Sequence, residues 1–320
     1  MSSNKQTSTN GQAQAATDPQ LLGKGKRNRL HKGERRTAML FITVPLVGFC
    51  LFTLFSLIAV FVFSFSDYNV ARGSYNFDEP FKNYANLFTN STYSEAFFRS
   101  IGNTLFLLLG IPVGMVAGLF LAALLQSKAV KKKGGKIFQV LYYLPAVTSV
   151  VAVNLVFRYI FNPSYGIINQ LLNVQIPWFQ NEWLIKIAII LKNTWSSMGG
   201  TMILYLAGML AIPQSYYESA EVDGATGVQK FFRITLPLLT PTTFYILITG
   251  VIGGLQSYAD AQLFGAGATG AQTIVWFIWN YGINSSKQGL ASAASLVLAV
   301  FIMLITVLQF RLSDKWVYED

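Results

Sequence analysis

IPQSYYESAEVDGATGVQKFFRITLPLLTP, residues Ile212–Pro241, is a polar and charged interval set between two long apolar runs. Ser215 followed by Glu218 has the spacing of a capping box, in which a hydroxyl accepts from an amide one turn on and a carboxylate reaches back. A short helix is therefore expected to start at Ser215. Gly224 suits the left-handed residue that ends such a helix, and Thr226 with Gln229 repeats the capping pattern for a second one. That second helix carries Val228, Phe231, Phe232 and Ile234, and is expected to stop near Pro237, whose ring removes a donor. The whole stretch reads as helix, glycine turn, helix, with one hydrophobic face left to dock.

The surroundings are those of a membrane protein. Of 320 residues 52% are hydrophobic and only 12% charged, against about a quarter charged in a soluble domain. Six apolar stretches reach the roughly 20 residues needed to cross a bilayer: 38–65, 101–125, 137–161, 185–206, 242–264 and 290–310. The predicted fold class is all-α and polytopic, with six transmembrane helices. The fourth stretch is interrupted by Lys186, Lys192 and Asn193.

Basic residues are retained on the cytoplasmic side of a membrane. Seventeen Lys and Arg fall before the first stretch, between the second and third, in the docking interval and after the sixth, whereas the opposite loops hold Arg72, Lys82, Arg99 and Lys287. Both termini and the docking interval are expected in the cytoplasm. The net charge of +10 then reflects topology and anionic lipid rather than nucleic acid. Residues 1–37, rich in Ser, Thr, Asn, Gln and Gly and then basic, are expected to be a disordered cytoplasmic tail. Cys50 is the single cysteine and His31 the single histidine, so neither an intrachain disulfide nor a Cys/His metal site is expected, and no catalytic residue is assigned.

Glu218, Ser219 and Ala220, then Gly224, Ile234 and Leu236-Pro237, resemble the EAA loop of permease subunits of binding-protein-dependent ABC importers. Asn83-Tyr84, Asn103-Thr104, Leu144-Pro145 and the Gly166–Asn169 turn resemble the same family. Ser219 stands where the family has Ala, and Gly265, Gly267, Thr269 and Gly270 stand where members often carry Gly-Gly-Pro. The resemblance implies the MetI-like importer permease fold over 38–320, a cytoplasmic coupling loop over 208–241, and residence in a bacterial cytoplasmic membrane. It implies three kinds of protein partner: a second homologous permease, an ATP-binding cassette ATPase dimer and an extracytoplasmic solute-binding protein. The chain has no Gly-x4-Gly-Lys-Ser/Thr loop, so ATP and Mg are expected on the ATPase and no cofactor on this chain. Coupling to that ATPase is expected through Ser215, Tyr217, Glu218, Ala220, Asp223, Gly224, Phe231, Ile234 and Pro237. Tyr142–Val153 and Phe231–Pro237 resemble the carbohydrate-uptake branch, of maltose and glycerol-phosphate type, which makes the expected solute a sugar or oligosaccharide moved by alternating access.

Polar side chains inside spans are costly and mark a pathway unless they snorkel to the interface. Gln256 and Asp260 are expected one helical turn apart on one face, and with Asn193, Trp195 and Tyr258 they are the expected solute pathway. For Lys192 two readings stand, snorkelling or a cavity; for Arg158 snorkelling is preferred. The series Gly289, Ala291, Ser292, Ala293, Ala294 and Ser295 fits tight helix packing. Two other classes compete with an importer permease. One is an ion-coupled secondary transporter using Asp260 or Lys192, which leaves the docking interval unexplained. The other is a membrane-embedded enzyme, which would need convergent His, Cys or acidic clusters that the spans lack.

Overall fold

The computed structural model describes residues 32–318 except 75, 128, 129, 131–133 and 266, and the side chains from Arg36 onward. Most of the tail expected to be disordered lies outside the described residues. Its end does not match the expected boundary, because α1 (Lys32–Gly48) already includes Lys32–Thr37. Contacts divide the chain into two units, Met1–Leu57 and Ile58–Asp320. In the first, α1 passes through a π-helical turn, Phe49–Leu54, into the start of α2 (Phe55–Ser64). The helical run Arg36–Ser64 is 29 residues long and apolar enough to cross a membrane.

The second unit is all-helical among its described residues. After α2 come α3 (Lys82–Thr89), α4 (Ser91–Leu107) and α5 (Gly110–Gln126). Two helices, α6 (Gly135–Val147) and α7 (Val150–Ile160), occupy the third apolar stretch, with the short α8 (Ile167–Leu172) beyond it. The long α9 (Glu182–Ala211) fills the fourth, followed by α10 (Gln214–Val222) and α11 (Gly227–Lys230). Last come α12 (Thr240–Leu255), α13 (Ile274–Trp279) and α14 (Gln288–Ser313). Among the described residues, three helical runs could each cross a membrane unaided, and there are up to six spans if each of three bent pairs counts as one.

The third apolar stretch is bent: α6 and α7 meet at 94°. Pro145 has no N–H to offer the carbonyl of Leu141, so the helix loses a bond one turn before it ends. Thr148 caps the break, its hydroxyl donating to Leu144 O at 2.9 Å and its amide to Pro145 O at 3.3 Å. The fifth stretch is also interrupted. Helix α12 ends at Leu255, and only at Asp260–Phe264 does the chain coil again, in a π-helical turn.

Packing of α5 on α9 sets the frame. Gly110, Gly114 and Gly118 form a glycine stripe at four-residue spacing that lets the backbones approach. A Cβ at Gly114 would lie 2.8 Å from Ser197 Oγ, and one at Gly118 2.7 Å from Thr201. The small-residue series on α14 packs as expected, with Gly289, Ala291, Ser292, Ala293 and Ala294 all buried. A Cβ at Gly289 would overlap Ser66 O and lie 2.8 Å from Asn83 Nδ2.

Asparagines fasten the connections where backbone carbonyls would otherwise be orphaned. Asn83 donates to Ser64 O at 3.1 Å and Ser66 O at 2.8 Å. Asn103 donates to Thr269 O at 2.9 Å and Gln272 O at 3.0 Å, holding the loop after the π turn. Asn169 donates to Pro163 O and Ile176 O and accepts from Trp178 Nε1 at 2.9 Å.

Candidate functional site

The breaks in the third and fifth stretches open onto one cleft of about 520 Å³, lined among others by Pro145, Thr148, Asn193, Ser196, Tyr258 and Asp260. Its polar wall is presented by α9. Asn181 caps that helix, accepting from the amides of Trp183 and Leu184, and Glu182 sits in the first turn where a negative charge opposes the helix dipole. About three turns on from Glu182, Lys192 reaches across to α7 and the π turn, and Asn193 to the π turn.

At the centre is a buried ion pair. Lys192 Nζ donates to Asp260 Oδ1 and, at 3.0 Å, to Asn154 Oδ1. Asn193 Nδ2 donates to the other carboxylate oxygen at 2.7 Å. Lys192 is 2% exposed and Asp260 6%. Lys192 therefore does not snorkel, and of the two readings open for it the structure selects the cavity wall. Asn154, which sequence reasoning passed over, completes the network from α7. Its signal was a lone amide in the apolar run Val150–Ile160, where an unpaired polar group would be costly.

Asn193, Tyr258 and Asp260 line the cleft. Gln256 and Trp195 do not, contrary to expectation. Gln256 terminates α12 at φ −100°, ψ 10° and is exposed, so the helical turn that would align it with Asp260 does not exist. The Gly253-Gly254 pair just before it favours termination, since glycine weakens a helix. Trp195 is 40% exposed, with its ring 5.1 Å from that of Phe157 on α7. Tyr258 lies 5.5 Å from the ring of Trp279. Arg158 is exposed at the end of α7.

The docking interval has the helix, turn, helix form expected of it. Gly224 adopts φ +75°, and the amide of Ala225 donates to Ala220 O at 2.8 Å to close the helix end. Thr226 and Gln229 form the expected capping box. The first box does not form. Helix α10 begins one residue earlier, at Gln214, with Pro213 before it and no side-chain cap; Ser215 is thus already helical, and its carbonyl accepts from Ser219 Oγ at 2.9 Å. Glu218, Asp223 and Gly224 are exposed.

Nor does the second helix stop at Pro237. A π-helical turn, Phe231–Thr235, widens the coil ahead of it and relieves the missing donor, and the run continues through Leu238 before bending 58° into α12. The two arms are tied by Tyr217 OH to Thr235 Oγ1 at 2.9 Å and Lys230 Nζ to Glu221 at 2.6 Å. Phe231 packs against the buried cluster of Met202, Tyr205, Met209 and Leu239, and Ile234 is half-buried.

A match to the binding-protein-dependent transport system inner membrane component family covers residues 110–318. A probable ABC transporter permease protein of Bacillus subtilis, YesP, is 32% identical over 311 residues, 92% of this chain and 96% of its own. The arabinooligosaccharides transport system permease protein AraP of Bacillus subtilis is 30% identical, over 88% of this chain and 90% of its own. A bacterial alginate ABC transporter, solved in complex with an alginate pentasaccharide-bound periplasmic protein, contains a chain 26% identical with TM-score 0.74, covering 89% of this chain and 97% of that one.

The chain belongs to the binding-protein-dependent transport system inner membrane component family. It is a multi-pass permease subunit of an ABC importer, and the resemblance read from the Glu218–Pro237 stretch is borne out at the level of the family.

Proposed function

We propose that the chain forms half of the translocation pathway for an uncharged sugar or oligosaccharide, moved by alternating access. The observation that carries this is the polar-walled cleft at the helix breaks. Its volume falls within the roughly 300–1,000 Å³ of small-molecule sites. Irregular backbone inside a membrane is tolerated where it lines such a cavity. Lys192 and Asp260 cancel one another, so the wall offers amides, hydroxyls and a tyrosine without net charge. Those groups suit hydroxyls, and the Tyr258 ring suits the apolar face of a pyranose or furanose. The names of AraP and of the alginate importer support a saccharide.

The remaining half is a second, homologous permease, with an ATPase dimer in the cytoplasm and a solute-binding protein outside. The distribution of Lys and Arg supports cytoplasmic termini and a cytoplasmic docking element, the tail 1–37 preceding a permease domain at 38–320. The element at 208–241 passes ATPase motion to the cleft, since it joins α9 to α12 directly. Its contact residues are drawn from Ser215, Tyr217, Glu218, Ala220, Asp223, Gly224, Phe231, Ile234 and Pro237. The test is uptake of neutral oligosaccharides into vesicles containing the permease pair, ATPase and binding protein. ATP-dependent accumulation supports the reading; accumulation driven by an ion gradient without ATP contradicts it.

A further inference from the structure

The ion pair does something that lining a cleft does not require. Lys192 and Asp260 are almost entirely sequestered, so most of their hydrogen-bonding capacity is spent on each other and on two asparagines rather than offered to a solute. The three segments so joined are those around the breaks. Asn154 sits on α7, just past the 94° bend; Lys192 and Asn193 sit on the unbroken α9; Asp260 opens the π turn after α12 has ended. Asn154 is further fixed by its own amide, which donates to Val150 O at 2.9 Å.

We propose that Lys192, Asp260 and Asn154 are positioning residues that lock α7 and the π turn onto α9 in the resting transporter, and that the lock opens during each transport cycle. The inference rests on the reading of the cleft as a translocation pathway. Alternating access moves helices around a pathway, and a segment already broken from its helix is free to move once its tether lets go. An ion pair buried in protein holds because separated charges there are costly. Opening towards water removes that penalty, so solute and solvent entering the cleft favour release. An importer whose lock is missing spends less time at rest and hydrolyses ATP without waiting for solute.

The test uses the assembled importer, with its second permease and ATPase, in lipid nanodiscs without binding protein or solute. Three variants are compared with the parent: the neutral double variant K192M/D260L, which removes the tether without orphaning a charge; the swap K192D/D260K, which keeps a pair; and N154L, which leaves the pair and removes one acceptor. Hydrolysis in the absence of solute is expected to rise about tenfold in K192M/D260L, to a smaller degree in N154L, and to return to within about twofold of the parent in the swap. Resting hydrolysis equal to the parent in both K192M/D260L and N154L, at equal assembly, overturns the proposal. If K192M/D260L does not assemble, N154L decides by itself: a raised resting rate supports the lock and a parental rate refutes it. Resting hydrolysis needs no saccharide, so the outcome is separate from failure to transport any sugar, which would count against the pathway reading alone.

Discussion

Tyr217 and Thr235, on opposite arms of the docking element, share a hydrogen bond of 2.9 Å between their hydroxyls. The bond makes one body of two short helices, each too short to be stable in water alone. Thr235 is buried and Phe231 packs on the cluster around Tyr205, so that body is seated on the ends of α9 and α12. Tyr217→Phe is expected to leave insertion and assembly unchanged while lowering uptake severalfold, because the arms then move separately. Uptake at parental ATPase occupancy is the measurement.

Gly224 is the pivot of that element. No atom lies within 4 Å of a Cβ placed there, so the cost of a side chain in this chain is conformational, about 1 kcal/mol for a non-glycine residue at positive φ. Gly224→Ala is expected to fold and insert. Gly224→Asp adds a charge on the exposed face proposed to meet the ATPase, and is expected to reduce ATPase co-purification and uptake by at least tenfold. Full uptake with normally bound ATPase in Gly224→Asp would make the turn a mere connection.

The two serine/threonine caps should behave differently. Thr226→Ala removes an observed cap and is expected to cost about 1 kcal/mol, whereas Ser215→Ala removes none and should be near neutral. Proteolysis rates of the docking element in membranes distinguish them.

Gly289→Leu is expected to destabilise the fold by about 1–3 kcal/mol, since even a Cβ meets Ser66 O and Asn83 Nδ2. A thermal melt in detergent should show a clear loss relative to Gly253→Leu, where a Cβ meets nothing within 4 Å.

Much of this was legible in the chain. The docking element was readable because caps and a left-handed glycine are local devices, fixed by residues three or four apart. What failed there were the boundaries: Pro213 starts the first helix one residue earlier than Ser215 would, and a π turn carries the second past Pro237. The apolar stretches were readable from length alone, but the bends were not, because the loss of one bond at Pro145 turns a helix by an amount that packing decides. Asp260 and Asn193 were readable as costly polar groups within apolar runs. Their partner Lys192 was left between two readings, since pairing over 68 positions depends on tertiary placement. Gln256 failed because helical periodicity was carried through a segment where the helix stops.

The pathway reading is tested most directly at Ser197, which lines the cleft, is exposed, and whose hydroxyl donates to Thr194 O over a long 3.4 Å. Ser197→Cys gives up little bonding and keeps the shape. With Cys50, which is exposed, replaced by Ser, the new thiol is the single one in this chain. Vesicles carrying the assembled importer are treated with a small charged methanethiosulfonate, with and without saccharide, and ATP-driven uptake is measured. At least about a tenfold loss of uptake on modification is expected, with slower modification when transported saccharide is present and unchanged ATPase occupancy. Complete modification with parental uptake would show that solute passes elsewhere.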